Sequence, residues 1–172
     1  MAFTKHGTLS PYGAPVKRSM IAANSITITE LDSMKIASGF AALGTTGALV
    51  FGHVMAIGTA KGVGVGSTGV AGAEFGSFVG TFATASDNQT VAKIKVECDV
   101  SKQTLYSAEE DVAIGTTTGS DLAGYTQDLV DEDTLDESTA LTTTGQYMGW
   151  GLDPSDSARA IVNIFESQVY GV

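Results

Sequence analysis

Val91-Ala92-Lys93-Ile94-Lys95-Val96-Glu97-Cys98-Asp99-Val100 alternates apolar and charged side chains over most of its length. Successive residues of a β-strand point to opposite faces of the sheet. Ile94, Val96, Cys98 and Val100 are therefore expected on a core face, with Lys93, Lys95, Glu97 and Asp99 on a wet one. A helix would scatter both sets around its circumference. The stretch reads as a half-buried strand, and a half-buried strand needs a sheet around it.

Other segments supply that sheet. Ala48 to Ile57 is an apolar run of strand length, bracketed by Gly44, Gly47 and Gly58, and reads as a strand buried on both faces. Ser25 to Thr29 is β-branched and alternating. Gly76 to Ala83 contains a short strand around Phe78, Val79 and Phe82. Gln146 to Leu152 is a strand carrying Tyr147 and Trp150, and Arg159 to Glu166 closes the fold as an apolar strand. Two segments are expected to be helical: Glu30 to Leu43, from the spacing of Leu31, Met34, Phe40 and Leu43, and a short turn at Asp153-Pro154-Ser155-Asp156, with Asp153 capping and Pro154 first in the turn. Gly and Thr each occur 21 times, which favours strands and turns over long helices. The expected fold is mainly β, a compact β-sandwich or small β-barrel with long Gly/Thr-rich and acidic loops.

Charge divides the chain. Up to residue 102 there are eight Lys or Arg and six Asp or Glu, whereas residues 103 to 172 hold one Arg against thirteen acids. The first 25 residues contain Lys5, Lys17 and Arg18 with no carboxylate, and Pro11 and Pro15 discourage regular structure there. We read residues 1–25 as an extended basic arm and residues 26–172 as one β domain. Lys5, Lys17 and Arg18 are the candidate polar contacts to an acidic partner surface, and Tyr12 and Val16 the apolar anchors.

Several functional classes are poorly served. A net charge of −10 argues against nucleic acid, whose binding depends on clustered Lys and Arg. No apolar run of about 18 residues exists to cross a membrane as a helix, and Met1 to Gly7 lacks the apolar core of a secretory signal. Cys98 is alone, so no internal disulfide or thiolate zinc cluster is expected. Only His6 and His53 could serve a nucleophilic triad; the first lies in the arm and the second in the most apolar strand, so no catalytic residue is assigned.

Three patterns invite sharper readings. Gly64-Val65-Gly66-Ser67-Thr68-Gly69 fits the dinucleotide fingerprint, but Gly72 and Gly76 follow where a phosphate-binding helix should run, so the glycine-rich residues 58–76 read as a surface loop and no cofactor is assigned. Asp128 to Glu137 holds six carboxylates in ten residues and reads as an extended, solvated loop. Asp131, Asp133 and Asp136 lack the order and turn glycine of a calcium loop, so no metal site is assigned. Trp150, Tyr147 and Tyr170 read first as core residues and second as a subunit contact or sugar platform.

Leu105 to Ser120, Asp136 to Ala140 and Gly151 to Val162 together resemble small structural proteins of tailed-bacteriophage heads, the decoration or cement proteins of the capsid exterior. The likeness spans residues 91 to 172 and lies in texture and order, without a diagnostic motif. It implies a mainly β, non-enzymatic virion protein, made in the host cytoplasm, whose partners are the major capsid protein and copies of itself in trimers. The alternatives are another phage structural role, as tail tube, head-fibre base or major shell subunit, or a carbohydrate-binding or adhesive β module.

Overall fold

Short alternating segments become strands through most of the chain. The computed structural model describes residues 3–9, 15–59, 81–91, 94–112, 122–141 and 145–165. Its strands are β1 (Phe3–Thr8), β2 (Lys17–Ile21), β3 (Thr27–Thr29), β4 (Ser33–Ala37), β5 (Phe40–Leu43), β6 (Gly52–Thr59), β7 (Thr81–Ala83), β8 (Ile94–Asp99), β9 (Thr104–Glu110), β10 (Thr126–Leu129), β11 (Thr134–Leu141), β12 (Tyr147–Asp153) and β13 (Asp156–Ile164), with one helical turn, α1 (Asn88–Val91).

The later strands form a closed five-stranded barrel in the order β9-β11-β10-β12-β13, with β13 returning to pair with β9. One edge of β9 is shared: β1 lies antiparallel along Thr104 to Ala108, and β11 lies parallel beside Glu109 and Glu110. The earlier strands form a second sheet, β2-β8-β6-β4-β5, whose outer strands meet where Ala22, just past β2, bridges Ala41 of β5, and the ribbon β3-β7 accompanies it. Each part has its own core. Tyr106, Leu122, Leu129, Leu135, Tyr147, Val162 and Ile164 fill the barrel, joined by Phe3 and Val50. Ile28, Met34, Phe51, Val54, Ile57, Val96, Cys98 and Val100 fill the second. Burying a large aliphatic side chain is worth about 1.5–3 kcal/mol, so both clusters are substantial.

The mainly β architecture is as expected, and of the two forms anticipated the barrel is present. Several local expectations are corrected. Phe3–Thr8 and Lys17–Ile21 do not stand apart as an arm. β1 pairs with β9 and β2 with β8 in the same chain, because these short segments find unpaired backbone edges and Phe3 a buried site. A boundary at residue 25 would therefore cut across both sheets, parting β1 and β2 from the strands they pair with. Pro11 and the rest of residues 10–14 lie outside the described residues.

Glu30 to Leu43 is a β-hairpin, not a helix: β4 and β5 pair in register across Ser38-Gly39. Both turn residues have positive φ, 51° and 83°, the primed turn that matches strand twist. The acidic run is likewise a hairpin, β10 to β11, with Leu129 and Leu135 fully buried between the carboxylates. Asp153 to Asp156 is the tight connection between β12 and β13. Asp153 does accept the backbone N–H of Ser155, at 2.8 Å, but the local bond closes a turn and starts no helix. The glycine-rich residues 60–76, with the dinucleotide-like Gly64 to Gly69, lie outside the described residues.

Candidate interaction surface and the buried polar junction

The barrel meets the second sheet through a polar cluster inside apolar surroundings. His53 on β6 is fully buried. Its Nδ1 is 2.7 Å from the carbonyl of Leu31, which accepts only, so that nitrogen carries the ring proton. Nε2 is then the acceptor for the Tyr147 hydroxyl of β12, at 2.9 Å, and the same hydroxyl lies 2.9 Å from Ser33 Oγ on β4. Burial lowers the His53 pKa from 6.5 to about 4, outweighing the Leu31 bond and the nearby Asp99 charge that favour the proton. The ring is neutral at ordinary pH. Phe3 packs on it with centroids 4.6 Å apart, and Tyr106 lies 4.0 Å away on centroids.

Asp99 departs from the expected wet face of β8 and is fully buried. Its carboxylate accepts from Ser101 N at 3.0 Å, Thr104 Oγ1 at 2.7 Å and Tyr106 Oη at 3.2 Å. A buried carboxylate is tolerable when so supplied with donors. Burial and the Asp99 charge push the Tyr106 hydroxyl well above its usual value, and burial does the same to Tyr147. Cys98 is buried, and desolvation drives its thiol far upward, the opposite of a reactive thiolate. His53, Tyr106 and Tyr147 are thus enclosed and engaged in structural bonds, and Cys98 is enclosed beside them, whereas His6 is exposed on β1.

The acidic groups gather at two places. Asp32 accepts from Thr29 N at 2.6 Å, and burial, with Glu132, Asp133 and Asp131 nearby, raises its pKa to about 7. Glu110 is raised to about 7, chiefly by burial. Asp131 and Asp133 are tied locally, Asp133 N donating to Asp131 Oδ1 at 3.2 Å. Among the described residues no three His, Cys, Asp or Glu side chains are grouped to hold a metal ion, and no helix is long and apolar enough to cross a membrane.

What the barrel shows outward is a cleft of about 420 Å³ lined by Ala123, Gly124, Met148, Gly149 and Trp150. Its wall is rigid. Gly149 donates to Tyr125 O at 2.8 Å and accepts from Gly124 N at 2.9 Å, an approach so close that a side chain at 149 would strike the Leu122 carbonyl. Trp150 is 52% exposed, yet its indole N–H donates to Asn163 Oδ1 on β13 at 2.7 Å. Asn163 Nδ2 in turn donates to Lys102 O at 2.5 Å. An exposed aromatic ring held in one orientation loses little freedom on contact with a partner.

The predicted contact residues are dispersed. Lys5 is exposed on β1, and Lys17 and Arg18 are exposed on β2 in the other sheet. Lys17 forms an ion pair with Glu97 at 2.8 Å, and Arg18 Nη1 donates to Lys17 O at 3.0 Å. Val16 packs against the second core. Tyr12 and Tyr170 lie outside the described residues. Tyr147 is core, as the first reading of the aromatics had it, whereas Trp150 is surface. Sequence reasoning did not assemble the cleft, although the Gly149-Trp150-Gly151 triplet marks a large ring flanked by residues that permit close backbone approach. Compared with known family models, curated proteins and solved structures, the chain matches none.

Proposed function

We propose that this chain is a non-enzymatic structural protein of a virion that binds the outer surface of a tailed-phage capsid and cements neighbouring capsid subunits. The observation carrying the reading is Trp150, an exposed and pre-oriented aromatic beside an apolar cleft on a closed barrel. Binding energy at protein interfaces concentrates in such anchors, with Trp foremost. Enclosure of His53, Cys98, Tyr106 and Tyr147 supports contact, as opposed to chemistry, as the work of the molecule. So does the sequence likeness of residues 91 to 172 to capsid decoration proteins. A standard interface buries about 800 Å² per partner, and many copies on a repeating shell would sum modest affinities into a large gain. The partners in this reading are the major capsid protein and further copies of the chain as trimers.

Purified protein added to capsid shells of the phage that encodes it is expected to co-sediment at a fixed ratio to the shell subunit, with Trp150→Ala binding at least roughly tenfold more weakly. Wild type failing to sediment with the shells would remove this reading. A second reading, a carbohydrate-binding module, rests on the same ring, since an exposed indole stacks well on a sugar face. Glycan-array binding abolished by Trp150→Ala would favour it. Buried Tyr147 cannot join that platform.

A further inference from the structure

Glu110 and Gln127 each present a side-chain oxygen, Oε1 in both, that is sealed from solvent and lacks a hydrogen-bond partner. The two side chains already touch: Gln127 Nε2 donates to Glu110 Oε2 at 2.7 Å. Gln127 is fully buried on β10, and Glu110 is 8% exposed at the end of β9. These strands are not neighbours. β11 lies between them in the barrel, so the pair reaches across β11.

An ionised carboxylate and an amide carbonyl can only accept, whereas a protonated carboxyl donates one hydrogen bond. Acid and primary amide are complementary: the amide N–H donates to the acid carbonyl while the acid O–H donates to the amide carbonyl. One proton on Glu110 Oε1 therefore supplies both orphaned oxygens. We propose that Glu110 is held as the neutral acid in a two-bond pair with Gln127, and that this pair is a pH-released latch joining β9 to β10 across the barrel.

The surroundings favour the neutral form. Asp111 follows β9, and Asp136 and Glu137 come from β11, each adding negative charge near Glu110. On β13, the other neighbour of β9, Arg159 is bonded to Ser107 and lies 3.9 Å from Glu109. Burial and the three acids raise the Glu110 carboxyl against the opposing bond from Gln127. When the latch opens, the proton passes to water, the O–H···O bond is lost, and a carboxylate faces an amide oxygen. A folded-state value raised from 4.5 to about 7 means that the folded chain holds a proton the unfolded chain has released. The latch's contribution is complete below pH 4.5 and disappears as pH rises through 7.

Glu110→Gln separates the proton from the shape, because two facing primary amides keep both parallel bonds with nothing to ionise. In chemical denaturation of the full chain, the folded-to-unfolded ratio of Glu110→Gln relative to wild type is expected to rise roughly tenfold or more between pH 5 and pH 8. The infrared difference spectrum of wild type minus variant at pH 6 should contain a protonated carboxyl stretch, the subtraction removing that of Asp32, whose value is also about 7. A variant tracking wild type at every pH, or no acid stretch in that difference, would overturn the latch. So would stabilisation by calcium at pH 8 in wild type but not in the variant, since a cation would then be what satisfies the two oxygens. If Glu110→Gln fails to fold, an NMR titration of the wild-type glutamate side-chain carboxyl carbons, which are distinct from those of Asp32, decides the question: a Glu110 carbon titrating near 4.5 would overturn the latch.

Discussion

The Tyr147 hydroxyl stands 2.9 Å from His53 Nε2 and ties the barrel to the second sheet through a bond that no solvent reaches. Each partner belongs to a different sheet, on β12 and β6. The two cores are therefore coupled by a directional contact as well as by packing. Gln146 reinforces the same seam, donating from Nε2 to Thr45 O at 3.0 Å and accepting Leu129 N at 2.7 Å.

Tyr147→Phe keeps the ring and removes the hydroxyl, leaving His53 Nε2 buried without a donor. Such an orphaned group costs about 1–3 kcal/mol. A lower urea midpoint with an unchanged slope is expected; an unchanged midpoint would mean the bond contributes nothing net.

His53 stays neutral in the folded chain because its pKa is lowered from 6.5 to about 4. Its contribution is complete above pH 6.5 and is lost as pH falls through 4, because only the unfolded chain takes up the proton in between. Asp32 works in the opposite sense. With its value raised from 3.8 to about 7, its contribution is complete below pH 3.8 and is lost as pH rises through 7. Histidine ring chemical shifts should report a neutral His53 down to below pH 5. A ring that titrates near 6.5 in the folded protein would contradict the enclosure described.

Phe3→Ala opens a cavity between His53, Tyr106 and Tyr147, and truncations of this kind cost about 3–5 kcal/mol. Deleting residues 1–9 should be worse, since it also bares the β9 edge along Thr104 to Ala108 and invites association between chains. Light scattering and thermal melting would show both effects. A truncated chain that melts like wild type would restore a dispensable arm.

Trp150→Ala and Gly149→Ala should behave differently. The first removes a half-exposed ring and is expected to leave the melting temperature nearly unchanged, as surface substitutions alter stability by about 0.5 kcal/mol or less. The second drives a methyl group into the Leu122 carbonyl and should lower the melting temperature. Equal effects would mean the cleft wall is not the close approach described.

Where one side chain alternates with its neighbour, sequence alone located the strand: Val96, Cys98 and Val100 are buried as their spacing requires. Asp99 escaped because its donors, Thr104 and Tyr106, lie beyond the turn on β9, and nothing local announces them. The acidic hairpin was concealed by its composition. Leu129 and Leu135 carry the inward face, while repulsion among the carboxylates suggested a loop. In Glu30 to Leu43 helical spacing competed with a better local clue, the Ser38-Gly39 pair, whose positive φ angles suit a tight hairpin. The cleft was the least legible feature, because residues 123–124 and 148–150 meet only through tertiary contact.

β9 receives β1 on one edge and β13 on the other, so the first and last strands of the described chain both dock on a strand from the middle. During synthesis the ribosome presents β1 and β9 long before β13. The barrel ring cannot close until β13 has left the ribosome, and meanwhile an edge of β9 waits open. Closure of the nascent barrel should thus lag well behind synthesis of β9, with a window in which holding chaperones matter.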